Sequence, residues 1–192
     1  MPEHPRTAEL RRALQKCLPL SAGWTGTTFR SVTIRYAGRT DLLSGKGSRK
    51  YGGRWNPPGL FDCVYGSLEP KTALSEALGA SAAFGIPPVK MRPRVFVAIN
   101  LRVQAVLDVR DVAVLARLGV TRDELLTTNW LADQESGHEA LTQALGRLAW
   151  EGRLEGILVP SVREPGGSNL VLFPGRRRKG SSWRIQGARD LP

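Results

Sequence analysis

Cysteine is almost missing from this 192-residue chain: Cys17 and Cys63 are the only two, and neither sits in a paired spacing such as C-x-x-C. That argues against a disulfide framework or a cysteine zinc site and suits a reducing cytoplasm. Histidine is as scarce. His4 and His138 have no ligand-spaced partner, so both are expected at the surface and no metal is expected. Long apolar runs are wanting too. The N-terminal MPEHPRTAELRRALQKCLPL lacks the uninterrupted apolar core of a signal peptide, and no later run is long enough for a bilayer, so neither export nor a membrane span is expected. Gly45, Gly47, Gly52 and Gly53 fit neither the P-loop nor the dinucleotide-fold spacing. No nucleophile elbow surrounds Ser161, which speaks against a serine hydrolase. Acidic residues are outnumbered, 17 against 28 Lys and Arg, for a formal net charge of +11. The excess makes polyanions the first candidates as partners, with arginine-rich coding in a G- and C-rich genome as the plainer cause.

What is present suits one domain with a real core: 41% of residues are apolar and 23% charged. Thr7 to Leu18 places Leu10, Ala13, Leu14, Cys17 and Leu18 at helical spacing, with Arg11, Arg12 and Lys16 mostly on another face. Gly23 to Gly26 breaks that helix, and Thr27 to Tyr36 reads as the first strand. Gly38 to Gly53, basic and without a hydrophobic period, is predicted to be an irregular surface loop of a length that is more often functional than not. A strand over Asp62 to Gly66 leads to a helix with Pro70 near its start. Ala73, Leu74, Ala77 and Leu78 form its apolar stripe, and Glu76 falls just outside, able to face a cleft. Gly85 to Pro88 should stop it. Arg94 to Leu101 is the clearest strand, with Val106 to Val109 as a candidate extension. Short helices are predicted over Asp111 to Leu118 and Thr121 to Leu126, the second with a capping-box pattern at Thr121 and Glu124. A longer helix follows at about Glu139 to Glu151. Strands at Gly156 to Val159, Asn169 to Phe173 and Ser182 to Ile185 close the chain. Strands mixed irregularly with helices argue α+β.

The chemistry concentrates in Tyr51 to Glu76. Arg54, in GGRWN, can give a phosphate or carboxylate a bidentate pair of hydrogen bonds, and the glycines before it let backbone approach an anion; alternatively it is a solvated turn arginine. Tyr65 ends an apolar strand, where it can stack on a planar ring or simply fill a core. Glu76 alone reads more readily as a solvated helix residue than as a catalyst. Ser161, after Val159-Pro160, can hold a ligand at the sheet edge or cap a turn. Of the two basic clusters, Lys46 to Arg54 lies in this glycine-rich region, whereas Arg176 to Lys179 reads as a solvated turn.

FR at Phe29-Arg30, GGRWNPPG at Gly52 to Gly59, VYGS at Val64 to Ser67, ALSE at Ala73 to Glu76, and GILVPS followed by NLVLF occur in one order. That order resembles the RES domain, a family named for its Arg, Glu and Ser whose members are mostly toxins of bacterial toxin–antitoxin pairs. The resemblance spans about Thr27 to Phe173. Residues 1–23 are then a helical extension and 24–192 the catalytic domain. It implies an α+β fold with a compact split β-sheet core flanked by helices, similar to ADP-ribosyltransferase toxins, and an enzyme that destroys NAD. Carried over by motif, the site is Arg30, Arg54, Tyr65, Glu76 and Ser161. Arg30 and Arg54 would hold the pyrophosphate, Tyr65 would stack on or bound the nicotinamide, and Ser161 would orient the ligand. Ser31 departs from the pattern, since members often carry an aromatic there. The implied partner is a cognate helix-turn-helix antitoxin of the Xre type, through which alone nucleic acid would be engaged.

Breaking the nicotinamide–ribose bond passes through an oxocarbenium-like state. Glycosidases use two carboxylates because an alkoxide leaving group must be protonated. Nicotinamide leaves as a neutral pyridine, so one Glu is what the reaction asks for. The acceptor is left open between water, phosphate and a protein side chain, the last making the chain an ADP-ribosyltransferase. A basic RNA-binding or RNA-cleaving toxin is the reading from another class. It suits the charge, but the chain has no helix-turn-helix, RRM or KH motif.

Overall fold

The computed structural model describes residues 1–83, 85, 87 and 93–191. Its strands are β1 (Ala22–Thr33), β2 (Val64–Ser67), β3 (Arg94–Asp108), β4 (Gly156–Pro160), β5 (Ser168–Leu172) and β6 (Ser182–Ile185). The α-helices are α1 (Thr7–Cys17), α2 (Arg39–Ser44), α3 (Lys46–Tyr51), α4 (Pro70–Ala83), α5 (Val112–Leu118), α6 (Arg122–Thr127), α7 (Trp130–Glu135) and α8 (Leu141–Glu151).

β1 and β3 pair antiparallel over nearly their whole length, from Ala22 opposite Val106 to Thr33 opposite Arg94, with one bulge between Ala22 and Trp24. β2 then pairs β5, β5 pairs β4, and β4 joins β3 in parallel, so five strands form a ring while β6 adds to β3. The ring closes thinly. β1 and β2 meet at a single residue pair, Phe29 opposite Ser67, and the sheet is split around it. The molecule is thus α+β with a split sheet at its centre, as expected.

Side-chain alternation sorts the sheet into two cores. Ile157, Val159 and Val171 pack with Leu10, Leu14 and Cys17 of α1 and with Leu145 and Leu148 of α8. Val64, Leu158, Leu170 and Leu172 face the other way, toward Val97, Ile99 and Leu101. Each such aliphatic side chain contributes about 1.5–3 kcal/mol by leaving water. α1 is fastened to α8 by charge as well. The buried Arg147 guanidinium meets Glu139 at 2.7 Å, Glu151 at 3.0 Å and Glu3 at 3.0 Å, and donates to Thr7 Oγ1 at 3.2 Å.

Four local expectations change. β1 begins at Ala22 rather than Thr27, because pairing with β3 outweighs the glycines. The predicted loop over Gly38 to Gly53 holds α2 and α3, joined at Gly45. Gly45 has φ +70°, and a Cβ there would lie 2.7 Å from the Cys63 backbone, so glycine is required on both counts. Leu74 and Leu78, predicted to face inward, are 46% and 43% exposed. His4 is half-buried, not superficial, with its backbone N–H on Glu139 Oε2 at 2.8 Å; burial pushes its imidazole pKa down. The stop predicted at Gly85 to Pro88 lies partly outside the described residues. No helix among the described residues is long and apolar enough to cross a membrane.

Candidate active site

Strand register assembles the site. Phe29 on β1 faces Ser67 on β2, Ser67 faces Asn169 on β5, and Asn169 faces Val159 on β4, so one row crosses four strands. Arg30 follows the first member of this row, and Ser161 lies one residue beyond the end of β4. Helix α4 packs against β1 and β2 and brings Glu76 to the row. Ser161 Oγ donates to Glu76 Oε1 at 2.5 Å, and Asn169 Nδ2 donates to the same oxygen at 2.8 Å. These two bonds explain the orientation of α4. With Glu76 turned to the sheet beside the buried Thr72 and Ala73, Leu74 and Leu78 are left outside.

Ser161 is 5% exposed, and its Oγ also accepts the backbone N–H groups of Arg163 (3.2 Å) and Glu164 (3.0 Å). Ser67, 4% exposed, donates to Asn169 Oδ1 at 2.7 Å.

The GGRWN loop carries Arg54 and touches Tyr65. Gly53 and Asn56 exchange backbone hydrogen bonds of 2.9 and 3.2 Å, and Gln143 of α8 donates to the Gly53 carbonyl at 3.2 Å. The helix can come this close because residue 146 is glycine: a Cβ there would lie 1.8 Å from the Trp55 carbonyl oxygen. Arg54 Nη1 donates to the Leu125 and Thr128 carbonyls at 3.1 and 3.0 Å, a cation at the C-terminal end of α6. Burial draws the Arg54 guanidinium pKa down, and the nearby Glu76 charge opposes that shift. The Tyr65 hydroxyl donates to Asn56 Oδ1 at 2.7 Å and accepts the Trp55 N–H at 3.1 Å; burial raises its pKa well above the usual phenol range.

Glu76 and Ser161 thus share a hydrogen bond, and the Arg54 charge lies near both Glu76 and Tyr65, which makes the four neighbours. Arg30 stands apart. It donates to the Leu42 carbonyl, and among the described residues it shares no hydrogen bond or ion pair with the other four. Burial without a carboxylate partner lowers its pKa to about 10, leaving a cation short of a counter-ion. Ser31 offers no ring, and its hydroxyl and carbonyl are held by Arg94 at 2.7 and 2.6 Å. Asn56, Ser67 and Asn169 were not foreseen. The signal was available: each lies in a quoted motif, and a polar residue heading the apolar run NLVLF has to find a partner.

At the opposite end of β4 and β5, Arg153, Gly175, Arg176, Arg177 and Arg178 line a basic concavity of about 460 Å³. Arg176 is not simply solvated there. It lies 4.1 Å over the Trp150 ring and donates to the Trp150 carbonyl at 2.8 Å.

Comparison with known proteins places the chain in a family. Proteins called NAD(+) phosphorylase MbcT, from Mycobacterium tuberculosis and Mycobacterium bovis, are 32% identical over 152 residues, 78% of this chain and 73% of theirs. The crystal structure of the M. tuberculosis MbcT–MbcA toxin–antitoxin complex contains a chain that superposes with a TM-score of 0.70 at 26% identity, covering 92% of this chain and 88% of that one. The sequence profile of the RES domain matches residues 28–192. Motif order, split sheet and profile coincide, and the chain belongs to the RES-domain family.

Proposed function

We propose that this chain is an NAD phosphorylase of the toxin kind, which breaks the nicotinamide–ribose bond and passes ADP-ribose to inorganic phosphate. The observation that carries the reading is Glu76, a single carboxylate held by Ser161 within reach of the Arg54 charge, in a chain 32% identical to NAD(+) phosphorylase MbcT. The C1′–N bond breaks with its electron pair going to the pyridinium nitrogen, so nicotinamide leaves neutral and needs no acid. A phosphate oxygen then bonds to C1′, giving ADP-ribose 1-phosphate. Phosphate, already anionic, needs no general base. The chemical demand falls on the cationic ribosyl centre, and Glu76 faces it. Arg54, with Arg30 on the β1 side, neutralises the pyrophosphate; Tyr65 bounds the nicotinamide.

Residues 24–192 carry the catalytic unit on this reading, and 1–23 brace it through α8. The enzyme works in the cytoplasm, where NAD is available. Its partner is a helix-turn-helix antitoxin of the Xre type that closes the cleft, and the basic segment over α2 and α3 suits an acidic stretch of it.

The test is incubation of purified protein with NAD, with and without phosphate, following nicotinamide and the sugar product, with an RNA arm in parallel. Phosphate-dependent nicotinamide release with formation of the sugar phosphate is expected. Release that ignores phosphate would make the chain a glycohydrolase, ADP-ribosylated protein would make it a transferase, and RNA cleavage with NAD intact would overturn the reading.

A further inference from the structure

We infer that Ser67 and Asn169 form a two-residue relay that positions Glu76; the inference rests on the NAD-cleaving reading above. An ionised carboxylate only accepts hydrogen bonds, so the end of the Asn169 amide that faces Glu76 is its nitrogen. Asn169 Oδ1 then faces Ser67, whose hydroxyl must donate to it. Ser161 is equally constrained. Its oxygen accepts two backbone N–H groups, and its one proton goes to Glu76. One arrangement of protons satisfies all three side chains, and both donors end on Oε1. Among the described residues Oε2 takes no hydrogen bond, and on this reading it is the oxygen that faces the substrate.

The strands allow little relaxation. Ser67 and Asn169 are paired residues of the β2–β5 ladder, Asn169 pairs Val159 on its other side, and the adjoining Leu170 and Val159 are fully buried. Ser67 lies on the strand behind Asn169 and reaches Glu76 only through it. It is a positioning residue, and its effect belongs to turnover and not to NAD affinity.

Asn169→Ala is expected to lower kcat by about 10- to 100-fold, the scale of a misplaced reacting group, with NAD affinity by calorimetry within about twofold of wild type. Ser67→Ala, which removes one neutral hydrogen bond a step further back, should cost about two- to tenfold, and Ser67→Thr, which keeps a hydroxyl, should retain most of the rate. In a Glu76→Gln background Asn169→Ala should change the residual single-turnover rate by less than about twofold, because the relay acts only through that carboxylate. The relay is overturned if Asn169→Ala weakens NAD binding in proportion to rate, or lowers the residual Glu76→Gln rate by its full factor. If Asn169→Ala does not fold, the Ser67 pair decides: equal rates for Ser67→Ala and Ser67→Thr overturn it. An active wild type with an unaffected Asn169→Ala removes the relay alone, whereas a wild type that releases no nicotinamide removes the NAD-cleaving reading and the relay together.

Discussion

Glu76 has one oxygen already committed to Ser161 and Asn169, so its substitution separates charge from shape. Glu76→Gln keeps the size and still offers an acceptor to Ser161 and Asn169. What it loses is the negative charge that the proposed mechanism sets opposite the ribosyl cation, where it is felt in the transition state. Nicotinamide release is expected to fall by at least about 10²- to 10³-fold, with NAD affinity by calorimetry almost unchanged. Arg54 is a different case. A place in a glycine-rich loop suggests that its removal leaves the fold untouched, yet its guanidinium satisfies two carbonyls at the end of α6. Arg54→Ala should therefore lower unfolding stability by about 1–3 kcal/mol, and separately weaken NAD binding by about 1.5–3 kcal/mol. Arg176→Ala, at the far end of β4 and β5, should leave NAD affinity where it was. Nicotinamide release, denaturant midpoints and calorimetry on the three variants check all of this.

At the scale of elements, α8 and the GGRWN loop are one unit. Gly146→Ala would drive a methyl group into the Trp55 carbonyl, and relief requires the helix and the loop to separate. Overpacking of this kind costs about 1–3 kcal/mol, and the displaced loop carries Arg54, so NAD affinity should drop together with the thermal midpoint. An effect on stability with unchanged affinity would show that the loop is held by its other contacts. The same scale shows what was legible in the residues. β3, α5, α6, α8 and the closing strands announce themselves by alternation, helical period or a capping box. α2 and α3 do not, since six residues make less than two turns and Gly45 cuts between them. Apolarity points Leu74 and Leu78 of α4 inward, whereas hydrogen bonds to one carboxylate choose the inner face. Ser67 and Asn169 are 102 residues apart, and only the order of the strands brings them side by side. Motif resemblance found Arg54, Tyr65, Glu76 and Ser161 together; local spacing alone left each with an ordinary alternative.

For the molecule as a whole, the N-terminal helix is joined to the rest by both apolar burial and the Arg147 ion cluster. Arg147→Ala would strand Glu139, whose side chain is 3% exposed, without a counter-charge. The loss of one partner of a buried pair costs about 3–5 kcal/mol, and an equilibrium unfolding curve measures it. A much smaller loss would show that the Glu139 charge is already satisfied by other donors, such as the His4 N–H. The single residue pair that closes the ring at Phe29 and Ser67 has a kinetic meaning as well. A seam so lightly bonded can part without the β1–β3 ladder unfolding, which makes it the place for sub-global opening. Peptides spanning β2 should take up deuterium by a faster route than those of β3, and equal protection across both would show that the seam opens only with the whole fold. Ser67 stands at that seam but is held to Asn169 across the separate β2–β5 ladder, so the seam can part while Glu76 keeps its alignment, and nicotinamide release should not follow the rate of deuterium uptake at β2.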